Sequence, residues 1–317
     1  MNQTMTMIIA VAIVGGLCFA GGYFLAGGSG GDSERDTRIY VAGSTTVQPL
    51  MDAWQVAYEK DNRVAFYVSG GGSDNGPDTL LNGTSNLGMR SSALSSYTTN
   101  TANIAKHGAD KLSKLKEYVI AYDAVVIVLN ADVTGVTNLT VQQLKDIFNG
   151  TYTNWSQVGG NSLAIKLVVR ETGSGTRDSF DKMVMTGTTG SNTVLGSALP
   201  QSTTGAVMTT VKSTSGAIGY VNMDMIPSIE ASGSGLKYVT IGGVKPTDAT
   251  VQNQINGAAG DKYTLSRKLY VVTYDQPMAE VVDFLKWMYT DAAQKVVKDM
   301  GFVPLPSDIR TAELAKI

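Results

Sequence analysis

The chain has 317 residues, 43% of them hydrophobic and 16% charged, with a formal net charge of −2. That length accommodates about two domains with sizeable cores, and the near-neutral balance gives a nucleic-acid role no electrostatic support. One cysteine, Cys18, and one histidine, His107, exclude an intrachain disulfide framework and leave no basis for a His/Cys metal site.

Residues 1–31 carry no charged side chain, and Met5 to Ala26 is almost wholly apolar and small. About 20 such residues span a bilayer. No Lys or Arg precedes the run, so the basic start of a secretory signal is missing. Residues 1–26 are therefore expected to be an uncleaved membrane anchor, with a cleaved signal as the second choice. Cys18 follows the bulky Leu17 and reads as a small buried residue rather than a lipid attachment point. Residues 27–37 form a Gly/Ser-rich polar linker. Asn82, Asn138, Asn149 and Asn154 each begin an Asn-x-Ser/Thr triplet, which fits an extracytoplasmic location.

Arg38 to Ala42 reads as a strand, followed by Gly43-Ser44-Thr45-Thr46. Val47, Leu50, Trp54 and Tyr58 then mark one face of a helix, with Thr45 or Thr46 as its expected cap. Val64 to Val68 reads as the next strand, followed by Ser69-Gly-Gly-Gly-Ser73 and a short helix to about Asn82, closed by Gly83. Asn86 to Met89 is a short strand leading into Arg90-Ser91-Ser92. Residues 95–116 are polar, and His107 there is expected at the surface. Tyr118 to Leu129 is long and apolar enough to cross between two lobes, interrupted by Asp123. Thr140-Val-Gln-Gln143 is a capping box opening a helix to Phe148. Trp155, in a turn-rich segment, is expected to pack rather than to bind.

Ala164 to Val169 reads as a buried strand, then Arg170-Glu-Thr-Gly-Ser-Gly-Thr-Arg177, then a helix from Asp178 to Met185. Thr203 to Val211 is a helix. Ala217–Val221, Lys237–Ile241 and Lys268–Thr273 are strands, and two helices follow, the second capped by Asp291 and ending at Gly301. Strands alternating with helices imply an α/β fold with mostly parallel sheets. Ligands in such sheets bind beyond the carboxyl ends of the strands, where the three Ser/Thr/Gly loops fall. Each loop gathers backbone N–H groups and hydroxyls near a helix N-terminus, which suits an anion. Arg170 adds a full charge and a planar fork of donors. Each of these residues also has a plain role as a cap or turn.

Taken in order, Ala42-Gly-Ser-Thr-Thr-Val-Gln-Pro49, Ser69-Gly-Gly-Gly-Ser73, Gly88-Met-Arg-Ser-Ser92, Asp146 to Trp155, Arg170-Glu-Thr-Gly-Ser-Gly-Thr176 and Tyr263-Thr-Leu-Ser-Arg-Lys-Leu-Tyr270 resemble the phosphate-binding protein of the Pst-type ABC importer. The match runs over about residues 38–306. The resemblance implies a two-lobed type II periplasmic-binding-protein fold with a two-crossover hinge. Lobe one would comprise 38–122 and 222–317, and lobe two 123–221. It implies phosphate ligands at Thr45, Thr46, Ser73, Ser91, Arg170, Ser174, Gly175 and Thr176, with no catalytic residue, metal or cofactor. Inorganic phosphate and ABC permease subunits would be the partners of a monomer tethered outside the cell membrane. Ser91 stands where the family often has an Asp that accepts the proton of hydrogen phosphate. Asp74, Glu171 and Asp123 are the carboxylates that would substitute. The competing expectations are a receptor for sulfate or molybdate, and a phosphate sensor or surface protein on the same fold. A hydrolase using Ser174 lacks the Gly-x-Ser-x-Gly elbow and would have only His107 as a histidine base.

Overall fold

The computed structural model describes residues 37–186 and 193–317. The expected anchor and all of the linker but Thr37 lie outside the described residues, and among the latter no helix is long and apolar enough to cross a membrane. Strand β1 (Thr37–Gly43), helix α1 (Gln48–Tyr58), β2 (Val64–Gly71), α2 (Asn75–Leu81) and β3 (Leu87–Arg90) come first. Three short helices, α3 (Ser95–Thr98), α4 (Thr101–His107) and α5 (Ala109–Leu112), lead into β4 (Leu115–Asn130). Then come β5 (Asn138–Leu139), α6 (Val141–Phe148), β6 (Lys166–Arg170), α7 (Gly175–Phe180), β7 (Leu199–Gln201), α8 (Thr204–Ser213) and β8 (Ala217–Asn222). The chain ends with α9 (Ile226–Glu230), β9 (Leu236–Tyr238), β10 (Thr240–Ile241), α10 (Asp248–Asn256), β11 (Ser266–Tyr274), α11 (Ala279–Met288), α12 (Asp291–Asp299) and α13 (Ser307–Leu314).

The main sheet runs β2-β1-β3-β11-β4-β8-β6-β7, with β9 also paired to β4. It is mixed rather than mostly parallel. The β1–β2, β1–β3, β6–β8 and β6–β7 pairs are parallel, whereas β11 returns late and inserts antiparallel between β3 and β4. Strand β4 is the expected long crossing. It pairs with β11 through Ala124 and with β8 from Val125 onward. From Tyr118 to Asn130 every residue is buried, which explains an apolar run without the two-residue alternation of a half-exposed strand.

Two apolar cores flank this strand. One joins Ile39, Trp54, Leu87, Tyr118 and Phe284 under α1, α11 and α12. The other joins Val126, Leu144, Phe148, Phe180 and Tyr220, with the Phe180 and Tyr220 rings stacked at 4.3 Å. Met223, Ile229, Val239, Val251 and Leu265 also pack into this second core, because β9 pairs with the far half of β4. The sequence-derived boundaries instead assign 222–317 to the first lobe.

Local differences have local causes. Helix α1 has no side-chain cap at Val47; neither Thr45 nor Thr46 caps it, and the Ser44 hydroxyl accepts the N–H groups of Thr46 and Val47 just before the helix. Thr290, not Asp291, caps α12. The turn after β6 becomes helical at Gly175 rather than Asp178 and continues through a π-helical stretch, Asp181–Met185. His107 is not a free surface residue. Its ring is only 6% exposed and its Nε2 lies 2.8 Å from Asp78 Oδ1, which also accepts from Tyr97. Burial pushes the Asp78 carboxyl up, but bonds from Lys106, Tyr97 and His107 outweigh it and hold the group below its ordinary value.

Candidate functional site

The first wall of the site begins where β1 ends. A Cβ on Gly43 (φ +136°) would lie 2.2 Å from the Met89 carbonyl, so only glycine lets β1 and β3 approach this closely there. Ser44 follows and is fully engaged. Its Oγ accepts the N–H groups of Thr46 (3.2 Å) and Val47 (3.4 Å) and donates to Ser91 Oγ (3.1 Å). Ser91 in turn lies 3.2 Å from Ser73 Oγ, which accepts the Ser91 N–H at 3.0 Å. These three serines are at most 2% exposed. Ser73 reaches them because Gly71 and Gly72 adopt positive φ between β2 and α2.

The facing wall is the turn from β6 into α7. Ser174 caps α7, its Oγ accepting the Arg177 N–H at 3.3 Å. Gly175 opens the helix against the first wall. A Cβ there would lie 2.1 Å from Ser73 Oγ and 2.4 Å from Ser91 Oγ. Thr176 Oγ1 meets Thr46 Oγ1 across the junction at 2.9 Å, and Asp74 donates its N–H to the Gly173 carbonyl at 3.3 Å.

Arg170, 1% exposed, sits at the end of β6. Its Nε and Nη2 grip the two Glu171 oxygens, each at 2.9 Å. Nη2 also reaches Thr45 Oγ1 at 2.9 Å, and Nη1 reaches Thr204 Oγ1 at 3.2 Å. A buried guanidinium is tolerable only when its donors are satisfied in this way. The structure thus brings Thr45, Thr46, Ser73, Ser91, Arg170, Ser174, Gly175 and Thr176 to one junction. The Thr46 N–H, however, is directed to Ser44 Oγ.

Each of the three carboxylates that would substitute for the missing Asp is held by an arginine. Asp74 pairs with Arg90 at 3.0 Å, Glu171 with Arg170, and Asp123 with Arg267 at 2.7 Å. Asp178, in the first turns of α7, accepts from Ser92 Oγ at 3.4 Å. Burial, aided by the nearby Asp74 charge, pushes its carboxyl up to about 6. Ser44, Arg90, Thr204 and Asp178 were not among the site residues expected from sequence. Ser44, neighbour to the Thr45-Thr46 pair, and Arg90, neighbour to Ser91, carried a local signal. Thr204 and Asp178 reach the site by tertiary packing. Trp155 packs as expected, fully buried, with its Nε1 donating to the Gly216 carbonyl. Among the described residues no group of three or more His, Cys, Asp or Glu side chains is placed to hold a metal.

A mixed sheet crossed by one shared strand, with donors converging from both sides of that strand, defines a substrate-binding protein of the periplasmic-binding class. The family model described as PBP superfamily domain matches residues 29–292, and the chain belongs to that superfamily. Among curated relatives, the phosphate-binding protein PstS of Borreliella burgdorferi is 27% identical over 278 residues, covering 86% of this chain and 91% of that one. PstS of Staphylococcus saprophyticus is 27% identical over 325 residues, covering 98% and 92%. Among solved structures, a phosphate ABC transporter substrate-binding protein of Clostridium perfringens with bound phosphate superposes with a TM-score of 0.70 at 27% identity, covering 85% of this chain and all of that one. An ABC-type phosphate transport receptor of Vibrio cholerae gives 0.64 at 28%, covering 84% and 100%.

Proposed function

We propose that this protein binds inorganic phosphate between the two walls and delivers it to an ABC importer outside the cytoplasm. One observation carries this reading: hydroxyls from three separate loops, the α7 N-terminus and Arg170 meet at one buried junction. Hydroxyl and N–H donors there replace the hydration shell of a tetrahedral anion, and Arg170 supplies the countercharge. Thr45, Thr46, Ser73, Ser91, Ser174, Gly175 and Thr176 are the proposed contacts beside it. With the walls touching, the ion enters only after they separate, hinging where β4 changes partner and where the chain leaves β8. Closure on the ion is the state an importer reads. The protein acts as a receptor rather than an enzyme, as a monomer, tethered through residues 1–26 and the linker beyond them.

A second reading, a receptor for another tetrahedral oxyanion, draws on the arginine-held carboxylates. A hydroxyl donates as readily as it accepts, so Ser91 excludes proton-free sulfate less firmly than a carboxylate would. Calorimetric titration of ligand-stripped protein with phosphate, sulfate and molybdate separates the two. Phosphate binding that Arg170→Ala weakens by about 100-fold or more is the expected result, as at least two charge-assisted bonds are lost. Folded protein that takes up none of the three anions would sink the site.

A further inference from the structure

We infer that Arg267 is a positioning residue that clasps the two walls together from the hinge side and so sets how long the anion is retained. The inference rests on the phosphate reading above. Asp123 and Arg267 are direct partners in the β4–β11 ladder, one step before β4 leaves β11 for β8. They are 0% and 6% exposed. Arg267 Nε and Nη2 both bond Asp123 Oδ2, at 2.9 and 2.7 Å. The other oxygen, Oδ1, accepts the N–H of Met223 at 3.1 Å, and Met223 is the residue where the chain leaves β8. One carboxylate therefore fixes both connections between the two halves of the sheet.

The third nitrogen of Arg267, Nη1, points away from Asp123 and reaches the Gly175 carbonyl at 3.5 Å. One turn further along α7, Ser179 Oγ donates to the Ser91 carbonyl at 3.0 Å. The Ser179 contact joins α7, beside the second core, to the end of β3, beside the first, so it forms only when the walls meet; the Arg267 contact ties α7 to β11, which lines both cores at the hinge. Both also act on carbonyl oxygens. An anion is bound by donors, so it competes for neither contact. Gly175 and Ser91 are thus each held through their carbonyl oxygen, and neither contact uses the Gly175 N–H or the Ser91 hydroxyl, the latter placed between Ser44 and Ser73. Arg267 and Ser179 touch no ligand in this arrangement, yet they stabilise the closed form.

The test measures phosphate uptake and release by rapid chase of radiolabelled phosphate from the wild-type protein, Arg267→Lys and Ser179→Ala. Lysine keeps a cation against Asp123 but has no third nitrogen to reach Gly175. Serine removal leaves the Asp123–Arg267 pair untouched and decides the matter should Arg267→Lys fail to fold. The expected result in each variant is release about fivefold faster, the worth of one hydrogen bond, with the association rate unchanged and, in Ser179→Ala, the ligand-free melting temperature unchanged as well. Wild-type release rates in both variants overturn the clasp while leaving phosphate binding intact. Slower association matched by an equal loss of ligand-free stability overturns it too, since that is the signature of a merely structural role. Wild-type protein that takes up no phosphate overturns the phosphate reading itself.

Discussion

On the side of β1, β2 and β3 the site is built on a chain of neutral hydroxyls, with the Arg90–Asp74 ion pair beside it. Ser44, Ser73, Ser91 and Thr46 are buried, and they bond to one another, to backbone amides and to Thr176. On the side of β6 and α7 it is made around one guanidinium with a carboxylate clamped on it. Neutral hydroxyls are inexpensive to bury once paired. A lone charge is not, and Glu171 offsets what desolvation would otherwise cost Arg170. The neutral wall supplies shape and the charged wall supplies attraction, and each depends on the other being in place.

The sharpest way to break that dependence is Gly175→Ala. The added methyl would lie 2.1 Å from Ser73 Oγ and 2.4 Å from Ser91 Oγ, so the walls stop short of each other. Overpacking of this kind costs about 3 kcal/mol, and phosphate affinity falls by about 100-fold or more while ligand-free stability stays near that of the parent. An affinity within a factor of a few of the parent would show that the walls need not meet.

Ser44→Ala tests the neutral wall alone. It strips the acceptor from two amides and the donor from Ser91, all buried. Urea denaturation should register a loss of about 2 kcal/mol, and a loss near zero would show that the serine chain is dispensable.

Asp178→Asn probes the charged wall through its pH dependence. The Asp178 carboxyl is raised from 3.8 to about 6 in the folded protein, so folding favours its protonated form. That contribution is present below about pH 4 and lost as pH rises through about 6. The amide escapes this loss. The variant should gain up to about 3 kcal/mol over the parent at pH 8, with the gain attributable to this titration gone at pH 4. A gain that does not change with pH would mean that Asp178 titrates normally.

How much of this was legible beforehand depended on range. The units Val41–Trp54, Phe66–Leu80 and Val168–Val184 announced themselves because apolar periodicity and Ser/Thr/Gly punctuation are local signals. The Thr140 capping box likewise appeared where expected. The sequence places the start of α7 three residues late, because Gly175, Thr176 and Arg177 carry no apolar face. The shortest strands carry too few residues for a pattern to emerge, and α13, whose one buried residue is Glu313, shows no apolar face. The pairings of Asp123 with Arg267 and of Arg90 with Asp74 could not be seen at all, since charges this far apart in the chain are matched only by tertiary packing. The eight site residues expected from sequence do converge, but the way Ser44 ties them together is a fact of three dimensions.

The late insertion of β11 has a consequence for how the protein comes into being. Strands β3 and β4 never pair with each other; both wait for Ser266–Tyr274. During synthesis, β3 therefore emerges with one edge unpaired and keeps it until nearly the whole chain has been made. Non-local pairing of this kind is slow to form and open to wrong partners meanwhile. The strand that carries Arg267 is thus also the last plank of the sheet, and a chain cut short before it would leave two buried edges bare, with neither core closed.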